Sequence, residues 1–165
     1  MRDVLQRYEE LSATHKALRL YALVDGYQYE QHTGERIECR TSVNRALFAG
    51  TEDEPLAHAG PWLYDVAALS PSEVSALSDL EDALPGVSWL ITSVKLDGLA
   101  QMLRLKLDGR LPNGRKAIMR FYDPRVLGDL FHVMTTEQRA EFFQLIDEWH
   151  FMYKGGRVWT GFPNA

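Results

Sequence analysis

The chain has 165 residues, of which 45% are hydrophobic and 25% charged, with a formal net charge of -5 and a single cysteine, Cys39. That is the composition of one globular domain with a full core. Scattered Lys and Arg leave no footprint for nucleic acid, no apolar run reaches membrane-spanning length, no apolar signal core opens the chain, and one cysteine permits neither an internal disulfide nor a multi-cysteine metal site, so a cytoplasmic protein is expected.

In chain order, residues 3–18 carry Val4, Leu5, Tyr8, Leu11 and Leu18 among charges at helical spacing, which predicts an amphipathic opening helix. The run 20–24, LYALV, is apolar throughout and stops at Asp25-Gly26, as a strand buried on both faces would. Residues 27–41 are polar and without a period, and are expected as a long loop with short helical turns. Residues 42–48 read as a short helix stopped by Ala49-Gly50-Thr51. Gly60-Pro61 breaks the chain ahead of a second strand over 62–66. Ser70-Pro71-Ser72-Glu73 is a helix start with an N-cap Ser, a Pro at the first position and a capping-box Glu, and this helix should run to about Leu84, before Pro85-Gly86. A third strand follows over 87–92, then a helix capped by Ser93 with Leu96, Leu99, Met102 and Leu103 on one face.

The second half is organised around residues 116–131, KAIMRFYDPRVLGDLF. Ala117, Met119 and Phe121 alternate with Ile118, Arg120 and Tyr122, which predicts a central strand, paired through a Pro112-Asn113-Gly114 turn with a strand over 106–111. Asp123 stands where a helix N-cap belongs, Pro124 takes the first helical position, and Val126, Leu127, Leu130 and Phe131 continue at helical spacing. Thr135-Thr136-Glu137-Gln138 offers another capping box, for a buried helix carrying Phe142, Phe143, Leu145, Ile146 and Trp149. Residues 151–153 and 157–159, joined through Lys154-Gly155-Gly156, close the chain as a hairpin. The expected fold is a single α/β domain over 1–165, with a central mixed sheet flanked by helices and a C-terminal β-hairpin.

Chemical motifs are absent: there is no Walker-type loop, Gly-x-Gly-x-x-Gly, Gly-x-Ser-x-Gly or His-Glu-x-x-His. The five histidines, His15, His32, His58, His132 and His150, lack metal-ligand spacing, so no metal or cofactor is expected. Of Trp62, Trp89, Trp149 and Trp159, read mainly as core, only Trp62 stands as a binding candidate, at the corner made by Gly60-Pro61 and followed by Tyr64. Three charges, Arg120, Asp123 and Arg125, crowd the strand-to-helix corner. Arg120 reads either as a partly buried guanidinium held by Asp123, Asp25 or backbone carbonyls, or as an anchor for a partner. An acid–base site built from Asp123, Arg125 and His132 is the enzyme alternative.

Four ordered blocks carry a family resemblance: Tyr21-Ala22-Leu23-Val24-Asp25-Gly26, Leu47-Phe48-Ala49-Gly50-Thr51, Gly60-Pro61-Trp62-Leu63 and Arg120-Phe121-Tyr122-Asp123-Pro124-Arg125-Val126-Leu127. In order and spacing they resemble the domain of unknown function 4123, over a core of about 20–162. The resemblance implies an adaptor chaperone of the bacterial type VI secretion system, one that binds an effector in the producing cell and promotes its loading onto the valine-glycine-repeat spike tip protein. No catalytic residue is implied. Partner-binding candidates on this basis are Trp62, Tyr64, Arg120, Tyr122, Asp123 and Arg125, with an immunity-type protein that blocks a toxin as another binding alternative. Many relatives carry a C-terminal extension, whereas this sequence stops at Ala165.

Overall fold

β1 (Arg19–Asp25) is apolar on both faces because it lies inside a six-stranded sheet covered on both sides. The computed structural model describes residues 1–15, 17–110 and 114–161. From the start the chain runs α1 (Arg2–Thr14), β1, α2 (Gly26–Thr33), β2 (Asn44–Ala46), a 3-10 turn (Glu54–Ala59), β3 (Pro61–Asp65) and α3 (Pro71–Ala83). It continues through β4 (Val87–Thr92), α4 (Leu96–Leu107), β5 (Asp108–Arg110), β6 (Lys116–Ile118), α5 (Pro124–Val133), α6 (Thr136–Phe142), β7 (Glu148–Tyr153) and β8 (Gly156–Gly161). The large sheet has the order β2-β3-β1-β4-β7-β8, and β5 with β6 makes a separate two-stranded ribbon.

The α/β class, the single domain and the C-terminal hairpin are as expected, but the sheet is antiparallel at every ladder rather than mixed. Alternation of strand and helix does bring β3 and β4 into the same direction across α3. β1 lies between them, however, and pairs with both antiparallel, so no parallel ladder forms. On one face Tyr21, Leu23, Leu63, Leu90 and Trp149 meet Leu99 and Leu103 of α4, Leu127 of α5 and Phe142 of α6. On the other, Ala22, Val24, Trp62, Trp89 and Ile91 meet Val4 of α1 and Leu77 and Leu80 of α3.

Three of the four N-caps read from the sequence form: the Ser70 and Thr135 capping boxes are both closed, and Asp123 caps α5. Elements that depend on tertiary context differ. The central strand expected over 116–122 is only three residues long and sits in the ribbon, and the strand expected over 106–111 begins only at Asp108 because Lys106 and Leu107 finish α4. Past Ile118 the chain turns, with Asp123 N–H donating to Arg120 carbonyl at 3.0 Å, so Phe121 and Tyr122 are buried from a turn and the apparent two-faced alternation has two different causes. Pro112 and Asn113 of the expected hairpin turn lie outside the described residues. Within residues 27–41, expected as a long loop with short helical turns, 27–33 belong to the two-turn helix α2, and 44–46 pair as an edge strand where a short helix was expected. Ser93 does not cap α4, whose N-cap is Lys95. The helix begun by Thr135 ends at Phe142, and Trp149 belongs to β7.

A buried carboxylate ties three elements together behind the sheet. Glu81 of α3 accepts the Trp89 indole N–H at 2.9 Å and two Arg157 guanidinium bonds from β8, each 2.8 Å. Burial pushes this carboxyl up, but the paired Arg157, with the N-terminal ammonium and the Trp89 indole, together hold the group below its usual range. Replacing Glu81 by Ala leaves Arg157, whose side chain is only 17% exposed, without its acid, so thermal and urea melts of Glu81→Ala should show a loss of roughly 3–5 kcal/mol, and an unchanged melt would contradict this.

Candidate functional site

β1 delivers Asp25 to the end of the sheet, fully buried. Its Oδ1 accepts the backbone N–H groups of Tyr27 at 3.0 Å and Gln28 at 3.2 Å, and this cap starts α2 in a segment with little apolar pattern of its own. Gly26 N–H donates to the Gly60 carbonyl at 2.9 Å. A Cβ at Gly26 would lie 2.8 Å from that same oxygen and closer still to the His58 carbonyl oxygen, so only glycine lets the two backbones meet. Pro61 sits opposite Asp25 in the β1–β3 ladder and its carbonyl accepts Leu47 N–H at 2.8 Å, which brings Phe48 against Gly60.

The last segment closes the corner. The Phe48 and Tyr122 rings meet edge-on with centroids 6.3 Å apart, and the Arg120 guanidinium lies 5.7 Å over the Tyr122 ring. Arg120 Nη2 stands 3.6 Å from Asp25 Oδ2, an ion pair longer than a hydrogen bond, and that oxygen has no hydrogen-bond donor. Asp123 accepts the Arg125 backbone N–H at 2.9 Å and holds the Arg125 side chain bidentately, Nε at 3.0 Å and Nη2 at 2.7 Å. These bonds from Asp123 raise the Arg125 pKa. The four sequence blocks singled out above therefore converge on one place, each joined to the next by a backbone hydrogen bond, a ring contact or an ion pair.

The charges at this corner are layered. The side chains of Arg120 and Arg125 are 52% and 62% exposed, whereas the carboxylates of Asp25 and Asp123 lie beneath them. Outside is a groove of about 470 Å³, walled by Tyr27, Phe48, Leu56, Ile118 and Tyr122 with both arginines on its rim. Its size falls within the range of ligand pockets, and its lining is mostly apolar with a few fixed polar groups. Burial pushes the Asp25 carboxyl up to about 6, against the opposing pull of its Gln28 and Tyr27 backbone bonds and of Arg120.

Of the residues proposed from sequence, Arg120, Tyr122, Asp123 and Arg125 are brought together here. Trp62 and Tyr64 are buried on the opposite face of the sheet, where the Trp62 indole donates to the Ala57 carbonyl at 2.9 Å. Trp159, read with the core, is instead the exposed tryptophan. His132 does not join Asp123 and Arg125: it lies in the last turn of α5, about 13 Å from the cap by helical rise, with its ring 5.5 Å from that of Tyr153. The Asp123 carboxylate is already engaged by three Arg125 donors, so the three residues do not assemble an acid–base pair. Among the described residues no three His, Cys, Asp or Glu groups are placed to hold a metal ion, and no helix is long and apolar enough to cross a membrane. Sequence reasoning missed Tyr27, Leu56 and Ile118 as groove walls. The Asp25-Gly26 pair, an N-cap followed by a close-packed glycine, was the available signal for the first.

Compared with known families, residues 20–141 match the one described as Domain of unknown function (DUF4123). No curated protein and no solved structure matches the chain. The matched span runs from Leu20 in β1 to Glu141 in α6 and so contains every residue of this corner, while α1 and the β7–β8 hairpin fall outside it.

Because the folded-state pKa of Asp25 lies above its ordinary value of 3.8, the folded chain holds this proton more tightly than the unfolded chain. Its contribution to stability is full below about pH 4, declines as pH rises to about 6 and is flat beyond, a loss of roughly 2–3 kcal/mol. Asn can still cap α2 but cannot ionise, so urea melts across this window should show Asp25→Asn gaining on the parent as pH rises. Parallel stability curves would contradict the buried, poorly compensated carboxylate.

Proposed function

This chain belongs to the Domain of unknown function (DUF4123) family, and from that premise we propose that it is a non-catalytic adaptor chaperone, binding a type VI secretion effector in the cytoplasm of the producing cell and promoting its loading onto the valine-glycine-repeat spike tip protein. The type VI assignment rests on the resemblance carried by the four sequence blocks. One observation on this structure supports a binding role: those blocks close on a single corner whose outer wall is an open, largely apolar groove edged by two cations held by buried acids. Such a surface suits a chain segment, with apolar walls for burial and charges for orientation. It presents no nucleophile paired with a base, and neither metal nor cofactor enters the proposed role.

Co-expression with an effector and a spike tip protein from the same gene cluster, followed by affinity capture and native mass spectrometry, tests this. A ternary complex without turnover of the effector, or an effector soluble only in the presence of this chain, is the expected result. Absence of binding to either partner, with both shown to be folded, would overturn it. A complex that silences the effector's toxicity and excludes the spike tip would point instead to an immunity-type protein.

A further inference from the structure

The groove at the corner has a chemical preference that follows from how its charges are layered. We propose that it takes an acidic–apolar peptide segment of a protein partner, whose carboxylate is received by Arg120 and Arg125 while a neighbouring apolar side chain packs against Tyr27, Leu56 and Ile118. This assignment rests on the binding role proposed above and names the chemistry that role requires.

Two observations carry it. First, the exposed charge is all of one sign. A guanidinium has five N–H donors, and Arg125 commits its Nε and Nη2 to Asp123, which leaves Nη1 uncommitted to that acid and fixes the plane of the fork. Among the described residues Arg120 pairs with Asp25 at 3.6 Å, beyond hydrogen-bond length, and lies against Tyr122, so part of its five-donor fork stays open to an incoming carboxylate. Buried acids thus hold both cations in place and prepare them for bidentate carboxylate recognition, which adds orientation as well as attraction. Second, three of the seven large apolar side chains left in water among the described residues gather here. Tyr27, Leu56 and Ile118 are 51%, 54% and 42% exposed, and although they come from α2, the 3-10 turn and β6 they wall the same groove. An apolar wall beside a cationic rim matches a segment that alternates acid with apolar side chains. It does not match a nucleic-acid backbone, which needs an extended basic surface that a chain of formal charge -5 lacks.

The test is selection from a displayed random-peptide library on the full chain, followed by binding of the selected synthetic peptides to the parent and to variants. Enrichment of Asp or Glu next to Leu, Ile or aromatic residues is expected. So is binding that weakens with salt and falls about tenfold in the Arg120→Gln, Arg125→Gln double variant. Should that double variant fold poorly, Leu56→Glu and Ile118→Glu carry the test, since both side chains are exposed: each should weaken binding at an unchanged melting temperature. A selection that yields no binders, one that yields peptides without acidic residues, or peptides that bind folded variants as tightly as the parent would overturn the assignment. No effector enters this selection, so its failure removes the groove's occupant and leaves the adaptor role to the co-expression result. Failure of co-expression with sound peptide binding would do the reverse.

Discussion

Everything at this corner depends on placing a carboxylate, Asp25, at the end of a buried central strand with one oxygen capped by backbone and the other facing a cation across 3.6 Å. Burial of a charge is costly unless it is paired and hydrogen-bonded, and the fold meets that cost with local means on one side only. Two amides at the start of α2 satisfy Oδ1, which fixes Tyr27 on the groove wall. Oδ2 draws Arg120 from a segment almost a hundred residues away in the sequence, and Arg120 reaches it across the Tyr122 ring. The same charge therefore starts a helix, anchors the connection after β6 and positions a surface cation. Partial protonation near pH 6 would loosen that last link without disturbing the cap geometry.

Sheet topology puts this corner where it is. Inserting β1 between β3 and β4 brings the end of β1 beside the start of β3, and the Gly26–Gly60 contact presses the two connections together. Phe48 then packs against Gly60 and Tyr122. The result is a frame of backbone contacts beneath a surface whose groove-lining side chains come from α2, the 3-10 turn, the segment after β6 and the start of α5. Sites positioned on such a frame hold their geometry better than sites on free loops.

What the sequence reveals and what it hides follow physical scale. β1, β3 and β4 are legible because burial on both faces makes them apolar runs, and the caps at Ser70, Asp123 and Thr135 are legible because one residue and its near neighbours form them. α2 is not, since GYQYEQHT buries only Gly26 and its start depends on a buried acid meeting distant neighbours. Three-residue β2 and β6 carry too few positions to show a period, and the segment around Phe121 is buried by a turn that local alternation mimics as a strand. At the site, the charged cluster from Arg120 to Arg125 was readable from its crowding. Its apolar wall was not, because exposure of Tyr27, Leu56 and Ile118 is a property of the assembled surface.

If the corner is the partner-binding surface, contact there must be visible on the backbone itself. Hydrogen–deuterium exchange of the chain alone and in complex with its co-expressed effector tests this most directly. Slowed exchange at the first turn of α2, the 54–59 turn and residues 118–125 is the predicted result. Slowed exchange confined to α1 or the β8 edge, with the corner unchanged, would contradict it.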